Sequence, residues 1–391
     1  MVASSVNPLQ PIIVVIDALD ECDKTRLAQT AKIISKAIVD LPSNAKVLIS
    51  SRPESAIQKR FLSIIDAELV KHIYLDTLAP TSIRDVKVFL VDKIQEIVEE
   101  YSLEDLGWPG EHGIQRLSDQ ASGLFIWAVT ATSYIRAEID AFGTERLPQL
   151  MDQLSVNGMD DINLLYSAVL EKTYTGRTDP WVFHIFRQII GSIVVLQEPL
   201  CLVGLKDLLA LRETETSEPV DVAHFVRQLR SVLVAGIDDI SDRTVPRLHK
   251  SFFDFITSER ADPRFRVNTV TSNELISMQC MRQLNSLRRD ICDIEHLAAS
   301  NDEISNLPAL IDNCLPIHLR YACRFWSLHL PQTGVVGENL RELFRIFFYQ
   351  HLLHWIEAMS LLGHVYSSAF LLLDKAEKWA DVSVFPENFH D

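Results

Sequence analysis

The chain has 391 residues, of which 47% are hydrophobic and 23% charged, a composition that excludes a disordered or collagen-like protein. At about 100 to 200 residues per domain, this length predicts two or three packed units. Acidic residues number 53 and basic residues 37, so the formal net charge is −16. A nucleic-acid-binding protein needs a basic surface, and this charge argues against that class of partner.

Cysteine spacing and hydropathy indicate the cellular compartment of the protein. The six cysteines include no C-x-x-C pair, which argues against a zinc site and a disulfide framework and favours reduced thiols. The first ten residues lack the basic and apolar regions of a secretory signal. The longest apolar stretch, residues 352–373, is interrupted by His354, Glu357 and His364, so it predicts an amphipathic core helix. We expect a cytoplasmic protein without a membrane partner.

The N-terminal residues predict an α/β unit over residues 1–80. A run of β-branched residues at 12–16 predicts a strand that is buried on both faces of a parallel sheet. Apolar positions from Leu27 to Leu41 recur at helical spacing behind a predicted N-cap at Asp23. Further short strands are predicted at 47–49 and 73–75. The order strand, helix, strand without hairpin signals predicts parallel pairing.

The remainder predicts helices in three further domains, at residues 81–178, 179–262 and 263–391. Ser82 followed by Asp85 is typical of a capping box, and a helical pattern over 114–139 contains a predicted break at Gly123. Helical patterns at 203–211 and 222–232 precede short strand patterns at 233–237 and 245–249. Two helices followed by a hairpin predict a winged helix. The fold class is therefore α/β with a parallel sheet, followed by α.

Three acids follow the first strand. Asp17 comes directly after the strand, where open parallel sheets bind ligands, and it can hold a magnesium ion through water. Asp20 and Glu21 follow at a distance that would let them orient or deprotonate a water that attacks a phosphate. The alternative is an ordinary helix start, where acidic residues are favoured by the helix dipole.

An arginine follows the second strand. Strand residues 47–49 lead into Ser50, Ser51 and Arg52. A guanidinium binds phosphate oxygens through two hydrogen bonds, so Arg52 could detect a γ-phosphate. The alternative is a surface arginine that precedes the loop proline Pro53.

Four segments together resemble the NACHT-type STAND ATPases, in particular the fungal nephrocystin-like kind. Residues 17–21 (DALDE) resemble the Walker B motif and residues 49–53 (ISSRP) resemble sensor 1. Residues 123–128 (GLFIWA) and 247–255 (RLHKSFFDF) continue the resemblance. It implies magnesium at Asp17, water activation by Asp20 and Glu21, γ-phosphate sensing by Arg52, and contact of His249 with the diphosphate of ADP. For His249 the alternative is a histidine on a short strand, packed in the core beside Phe252 and Phe253.

The resemblance implies a signalling switch with ATP, ADP and Mg²⁺ as ligands, and with protein partners or a self-oligomer. The sequence contains no G-x-x-x-x-G-K-[ST] phosphate loop, so the resemblance implies only the partial parallel sheet of a P-loop NTPase domain, followed by a helical domain, a winged helix and a C-terminal helical region. We therefore expect a fragment or a degenerate relative that binds nucleotide weakly and hydrolyses it slowly or not at all, with sensor repeats in a full-length parent. The main alternative is a nucleotide-independent helical adaptor or scaffold. A nucleic-acid motor is disfavoured by the acidic charge.

Overall fold

The computed structural model describes residues 11–22, 24–42, 44–52, 54–62, 71–154, 161–174, 179–211, 220–229, 232, 248–294, 300–334, 337–365 and 369–383. Most of these residues are helical, and the strands among them form one two-stranded parallel sheet. The chain divides into two compact units: residues 1–76, the N-terminal unit, and residues 77–391, the C-terminal unit.

The N-terminal unit contains the predicted strand, helix, strand arrangement. Strand β1 (Ile12–Ile16) pairs in parallel with β2 (Ala45–Ile49), and helix α1 (Lys24–Val39) connects them. Helix α2 (Ser55–Leu62) follows. The pairing starts with Ile12 opposite Ala45 and ends with Ile16 opposite Ile49, so both strands stop at the same level. The predicted N-cap, Asp23, lies outside the described residues.

One face of this small sheet is covered. Leu27 and Ala31 of α1 pack with Ile57 and Phe61 of α2 and with Leu19, which follows β1. On the other face, Ile13, Val15 and Leu48 are 71%, 61% and 60% exposed. The prediction of a strand buried on both faces is therefore wrong for the described residues, because both helices contribute to one core only.

The predicted third strand is not formed. Residues 73–75 have irregular backbone, and Tyr74 and Leu75 are 76% and 92% exposed. Their β-branched and aromatic character suits a strand, but strand formation needs a hydrogen-bonded neighbour. The described part of the chain supplies no such neighbour, since the sheet contains β1 and β2 alone.

The C-terminal unit is a helical assembly with one continuous apolar core, which includes the fully buried Trp127, Trp326 and Trp355. This core extends through the unit. The division of residues 81–391 into three domains stays a prediction. The helices are α3 (Pro80–Glu100), α4 (Gly110–Ala121), α5 (Phe125–Phe142), α6 (Leu147–Leu154), α7 (Ile162–Thr173), α8 (Pro180–Val195), α9 (Leu202–Leu209), α10 (Val222–Gln228), α11 (Lys250–Ile256), α12 (Thr269–Leu284), α13 (Leu307–Cys314), α14 (Ile317–His329), α15 (Glu338–Ile346), α16 (Leu352–Leu361) and α17 (Phe370–Ser383).

The observed helix ends agree with one of the sequence predictions about helix boundaries and differ from two others. The break at Gly123 is confirmed, since this residue has φ +74° between α4 and α5. Helix α3 begins at Pro80 with Ala79 as its N-cap, so Ser82 is not the cap. The stretch 352–373 is not one helix, because α16 ends before Gly363 (φ +73°) and α17 begins at Phe370. Within the described residues, no helix is both long and apolar enough to span a membrane.

The predicted winged helix is tested only in part. Helices α9 and α10 agree with the two predicted helices. The predicted strand 233–237 lies outside the described residues, as does most of 245–249. His249, which was expected on the second strand, instead stands at the start of α11.

A series of buried hydrogen bonds joins three parts of the C-terminal unit. The backbone N–H of Gln197 donates to the Tyr321 hydroxyl (2.9 Å), and that hydroxyl lies 2.8 Å from Nε2 of His329. Nδ1 of His329 lies 2.8 Å from Oδ1 of Asn273. The hydroxyl therefore donates to Nε2, and Nδ1–H donates to Asn273, which defines a neutral imidazole. Burial lowers the pKa of His329 to about 4.

This histidine predicts acid sensitivity. An unfolded histidine has a pKa of about 6.5, so above that pH the ring is neutral in both states and its contribution is intact. Between pH 6.5 and 4 only the unfolded chain binds the proton, which lowers the free energy of unfolding by about 3 kcal/mol. We expect His329→Gln to remove this part of the pH dependence in urea unfolding. The exposed-site variant His184→Gln should keep it, and equal slopes for both variants would contradict the assignment.

Gly123 should tolerate no side chain. A Cβ at this position would lie 1.8 Å from the backbone oxygen of Thr77, and φ is +74°. Gly107 has φ +58° but open space around its Cβ position. We expect Gly107→Ala to cost about 1 kcal/mol from backbone conformation alone, and Gly123→Ala to cost several-fold more. Urea unfolding measures both, and equal costs would show that the Thr77 contact is absent.

Candidate functional site

The strand ends bring Asp17 and Ser50 side by side, because Ile16 and Ile49 are paired. The Ser50 hydroxyl donates to Oδ1 of Asp17 and accepts the N–H of Ala18 at 2.8 Å. The backbone N–H of Ser50 donates to the oxygen of Ile16 at 2.9 Å. Ser50 thus extends the ladder by one residue and fixes one oxygen of the exposed Asp17 carboxylate.

Ala18 makes this arrangement possible through its backbone. It has φ 50° and ψ 51°, the left-handed region, and leads into a 3-10 turn at Leu19–Glu21. The turn directs the Ala18 N–H to Ser50, and the Leu19 N–H donates to the Ser50 backbone oxygen at 2.9 Å. A β-branched residue would be strained in this conformation. The small side chain of Ala18 therefore suits this left-handed position.

Asp20 connects the turn after β1 to the segment after β2. Its side chain is buried, and Oδ1 accepts the backbone N–H of Arg52 (2.9 Å) and the Ser51 hydroxyl (3.4 Å). The Arg52 guanidinium lies 3.7 Å from Oδ2, with 42% of its side chain exposed. A buried carboxylate needs such partners, because an unpaired one is costly to remove from water. Asp20 therefore holds the two strand ends together.

The structure thus brings Asp17, Asp20 and Arg52 to one end of the sheet. Asp17 and Glu21 are exposed, whereas Asp20 is enclosed by its hydrogen bonds. The roles expected of these residues in magnesium binding, water activation and phosphate sensing stay predictions. The sequence analysis assigned no role to Ser50 or Ser51, although two consecutive hydroxyl residues directly after β2 were the signal that could have indicated their bonds.

The residues fit a magnesium ion held mainly through water. Within the described residues, no group of three or more His, Cys, Asp or Glu side chains could hold a metal ion. Magnesium keeps several waters and uses only one or two protein carboxylates together with substrate phosphates. The exposed Asp17 carboxylate, oriented by Ser50, is the side chain that could serve in this way.

His249 lies in the C-terminal unit as the N-cap of α11. Its Nδ1 accepts the Ser251 backbone N–H at 3.2 Å and lies 2.7 Å from the Ser251 hydroxyl, which in turn is 2.8 Å from the hydroxyl of the buried Tyr166. The imidazole is exposed. The alternative of a buried core histidine on a strand is therefore wrong, and a contact with diphosphate stays a prediction.

Comparisons with known proteins concern the N-terminal part of the chain. The family model described as Nephrocystin 3, N-terminal, matches residues 1–52. This match ends at Arg52 and includes Asp17, Asp20 and Glu21. Searches of curated proteins and of solved structures gave no significant match. The chain is thus similar to this NACHT-related family over the segment that contains β1, α1 and β2.

Asp20 and Asp17 should differ in their effect on stability. Asp20→Ala leaves the Arg52 N–H without its acceptor, at a cost of about 1–3 kcal/mol. Asp17→Ala removes an exposed carboxylate and should cost less than about 1 kcal/mol. Because all six tryptophans lie beyond residue 76, hydrogen exchange of residues 44–52 is the suitable measurement. Faster exchange in Asp20→Ala than in Asp17→Ala is expected, and the reverse order would refute the structural role of Asp20.

Proposed function

We propose that this chain is part of a NACHT-type signalling ATPase, in which ATP and ADP control a conformational switch. The supporting observation is the strand-end site: Asp17 oriented by Ser50, beside Asp20 bonded to the Arg52 backbone. The nephrocystin 3 match over the same residues adds independent support. In this proposal, the N-terminal unit supplies the residues that bind magnesium in a phosphate site.

The side chains have separate tasks in this proposal. Asp17 would hold a magnesium ion through water, while Ser50 fixes one oxygen of its carboxylate. Glu21, exposed in the turn after β1, is better suited than Asp20 to orient an attacking water, because the Asp20 carboxylate is buried and already accepts two hydrogen bonds. Arg52 senses the γ-phosphate with its guanidinium, whose distance to Asp20 would then lengthen.

The switch in this proposal uses His249. In the ADP form, His249 contacts the diphosphate and favours a closed state, and ATP favours a state that presents a surface for oligomerisation or for a protein partner. A ligand shifts such an equilibrium only by its difference in affinity for the two states. The exposed imidazole, held at the start of α11 by Ser251, is compatible with this contact.

A second candidate is a nucleotide-independent helical adaptor. The burial of Asp20 favours it, because this acid has a structural task that requires no nucleotide. The large helical unit, with its continuous core, offers surface for protein partners. Magnesium-dependent nucleotide binding separates the two candidates.

The test measures binding of fluorescent ADP, with Mg²⁺ or with EDTA, to the chain alone and to the chain extended before residue 1 by a P-loop strand and helix. The chain alone should bind weakly, because its sequence has no phosphate loop. The extended chain should bind in a magnesium-dependent way, and Asp17→Asn should reduce that binding by about tenfold or more.

The exposed Asp105 provides a matched control. Asp105→Asn carries the same charge change in the C-terminal unit and should leave binding unchanged. Equal binding with Mg²⁺ and EDTA, or equal loss in the two variants, would contradict the switch. Absence of binding in a correctly folded extended chain would favour the adaptor.

A further inference from the structure

Three side chains form a continuous series of hydrogen bonds between α7 and the start of α11. The hydroxyl groups of Tyr166 and Ser251 are 2.8 Å apart, and the Ser251 hydroxyl lies 2.7 Å from Nδ1 of His249. The Ser251 backbone N–H also donates to this nitrogen, at 3.2 Å. Tyr166 is buried, Ser251 is half-buried and His249 is exposed. The hydrogen-bond series therefore connects the core to the surface.

The direction of each hydrogen bond in the series follows from its donors. A backbone N–H can only donate, so Nδ1 of His249 accepts and carries no proton. The Ser251 hydroxyl therefore donates its proton to the same nitrogen, and its oxygen accepts the proton of Tyr166. In a neutral imidazole the proton then lies on Nε2. The series thus makes Nε2 of His249 a hydrogen-bond donor.

Aromatic packing holds the tyrosine of the series in place. The Tyr166 ring meets Phe252 edge to face, with centroids 5.0 Å apart, and lies 5.5 Å from the ring of Phe255. Both phenylalanines are buried in the core. Because the ring is fixed, its hydroxyl has a defined position opposite Ser251. Tyr166 thereby favours the orientation in which the Ser251 hydroxyl donates to His249.

We propose that Tyr166 and Ser251 are positioning residues that hold His249 as an Nε2–H donor for a diphosphate oxygen of ADP. This inference rests on the proposed function, which supplies the contact between His249 and the diphosphate. Phosphate oxygens accept hydrogen bonds, so a ring with its lone pair on Nε2 would repel them. The tautomer that the series selects is the one that suits this ligand, and it requires no positive charge on the ring.

The alternative is that the series only stabilises the start of α11. His249 is the N-cap of this helix, and an N-cap side chain needs only the bond from the Ser251 backbone N–H. In that case, removal of the Ser251 hydroxyl would lower the melting temperature. It would leave the protonation of the two ring nitrogens and the affinity for ADP unchanged.

The first measurement observes the two ring nitrogens of His249 in the full chain without nucleotide. Nuclear magnetic resonance of isotope-labelled histidine distinguishes a protonated from an unprotonated ring nitrogen, and His249→Gln identifies the resonances. At neutral pH we expect Nδ1 to be unprotonated and Nε2 protonated. Ser251→Ala should move the two resonances towards each other, because the released ring exchanges between tautomers. Ser251→Thr keeps a hydroxyl and should restore the wild-type positions.

The second measurement is the affinity of the P-loop-extended chain for ADP with Mg²⁺. Ser251→Ala should weaken binding by about threefold to tenfold, and Ser251→Thr should retain wild-type affinity. Tyr166→Phe keeps the packed ring and should weaken binding by a smaller factor. Ser167→Ala is the matched control, because this hydroxyl in α7 donates to the Asn163 oxygen at 3.0 Å and should not affect binding. A thermal melt verifies that each variant is folded.

The two measurements separate this inference from the proposed function. Absence of magnesium-dependent ADP binding in the wild-type extended chain would contradict the proposed function, and the diphosphate contact with it. The ring nitrogens would still show whether Ser251 sets the tautomer. Magnesium-dependent binding of equal strength in wild type and in folded Ser251→Ala would overturn the positioning role alone. Ring resonances that are identical in these two chains, or a proton on Nδ1 in wild type, would also overturn it.

Discussion

The candidate site depends on one constraint: strands β1 and β2 end at residues that are paired with each other. Parallel pairing that stops at Ile16 and Ile49 puts Asp17 beside Ser50, and the left-handed Ala18 turns the chain so that Asp20 reaches the Arg52 backbone. A shift of one residue would move every side chain to the opposite face of the sheet. The site is therefore a property of the register as well as of its acids.

The three acids of the segment after β1 differ in their burial. Asp17 and Glu21 are exposed, whereas Asp20 is enclosed and serves as an acceptor for backbone and hydroxyl donors. A carboxylate in that position contributes first to the integrity of the loop. Chemical tasks in a phosphate site are thus better assigned to the exposed members, and Asp20 is better understood as the residue that positions Arg52.

The sequence predicted those features that depend on local patterns. Hydrophobic periodicity predicted the parallel strand pair with α1, and Gly123 predicted a helix break, because these signals lie within a few residues of their consequence. The bond from Arg52 to Asp20 joins residues that are far apart in the chain, so spacing alone could not predict it. The strand at 73–75 failed for the same reason, since pairing requires a neighbour. His249 was placed on a strand because its short apolar neighbours resemble one, whereas it caps α11 by accepting the Ser251 backbone N–H.

The most direct test is to locate a divalent ion that is bound to the chain. In the P-loop-extended chain loaded with ADP, Mn²⁺ should replace Mg²⁺ and broaden the amide resonances of nearby residues in nuclear magnetic resonance spectra. The account predicts that the amides of Ala18, Leu19 and Ser50 broaden first, and that Asp17→Asn prevents this. Broadening centred elsewhere, or unchanged broadening in Asp17→Asn, would contradict a magnesium site at the end of β1.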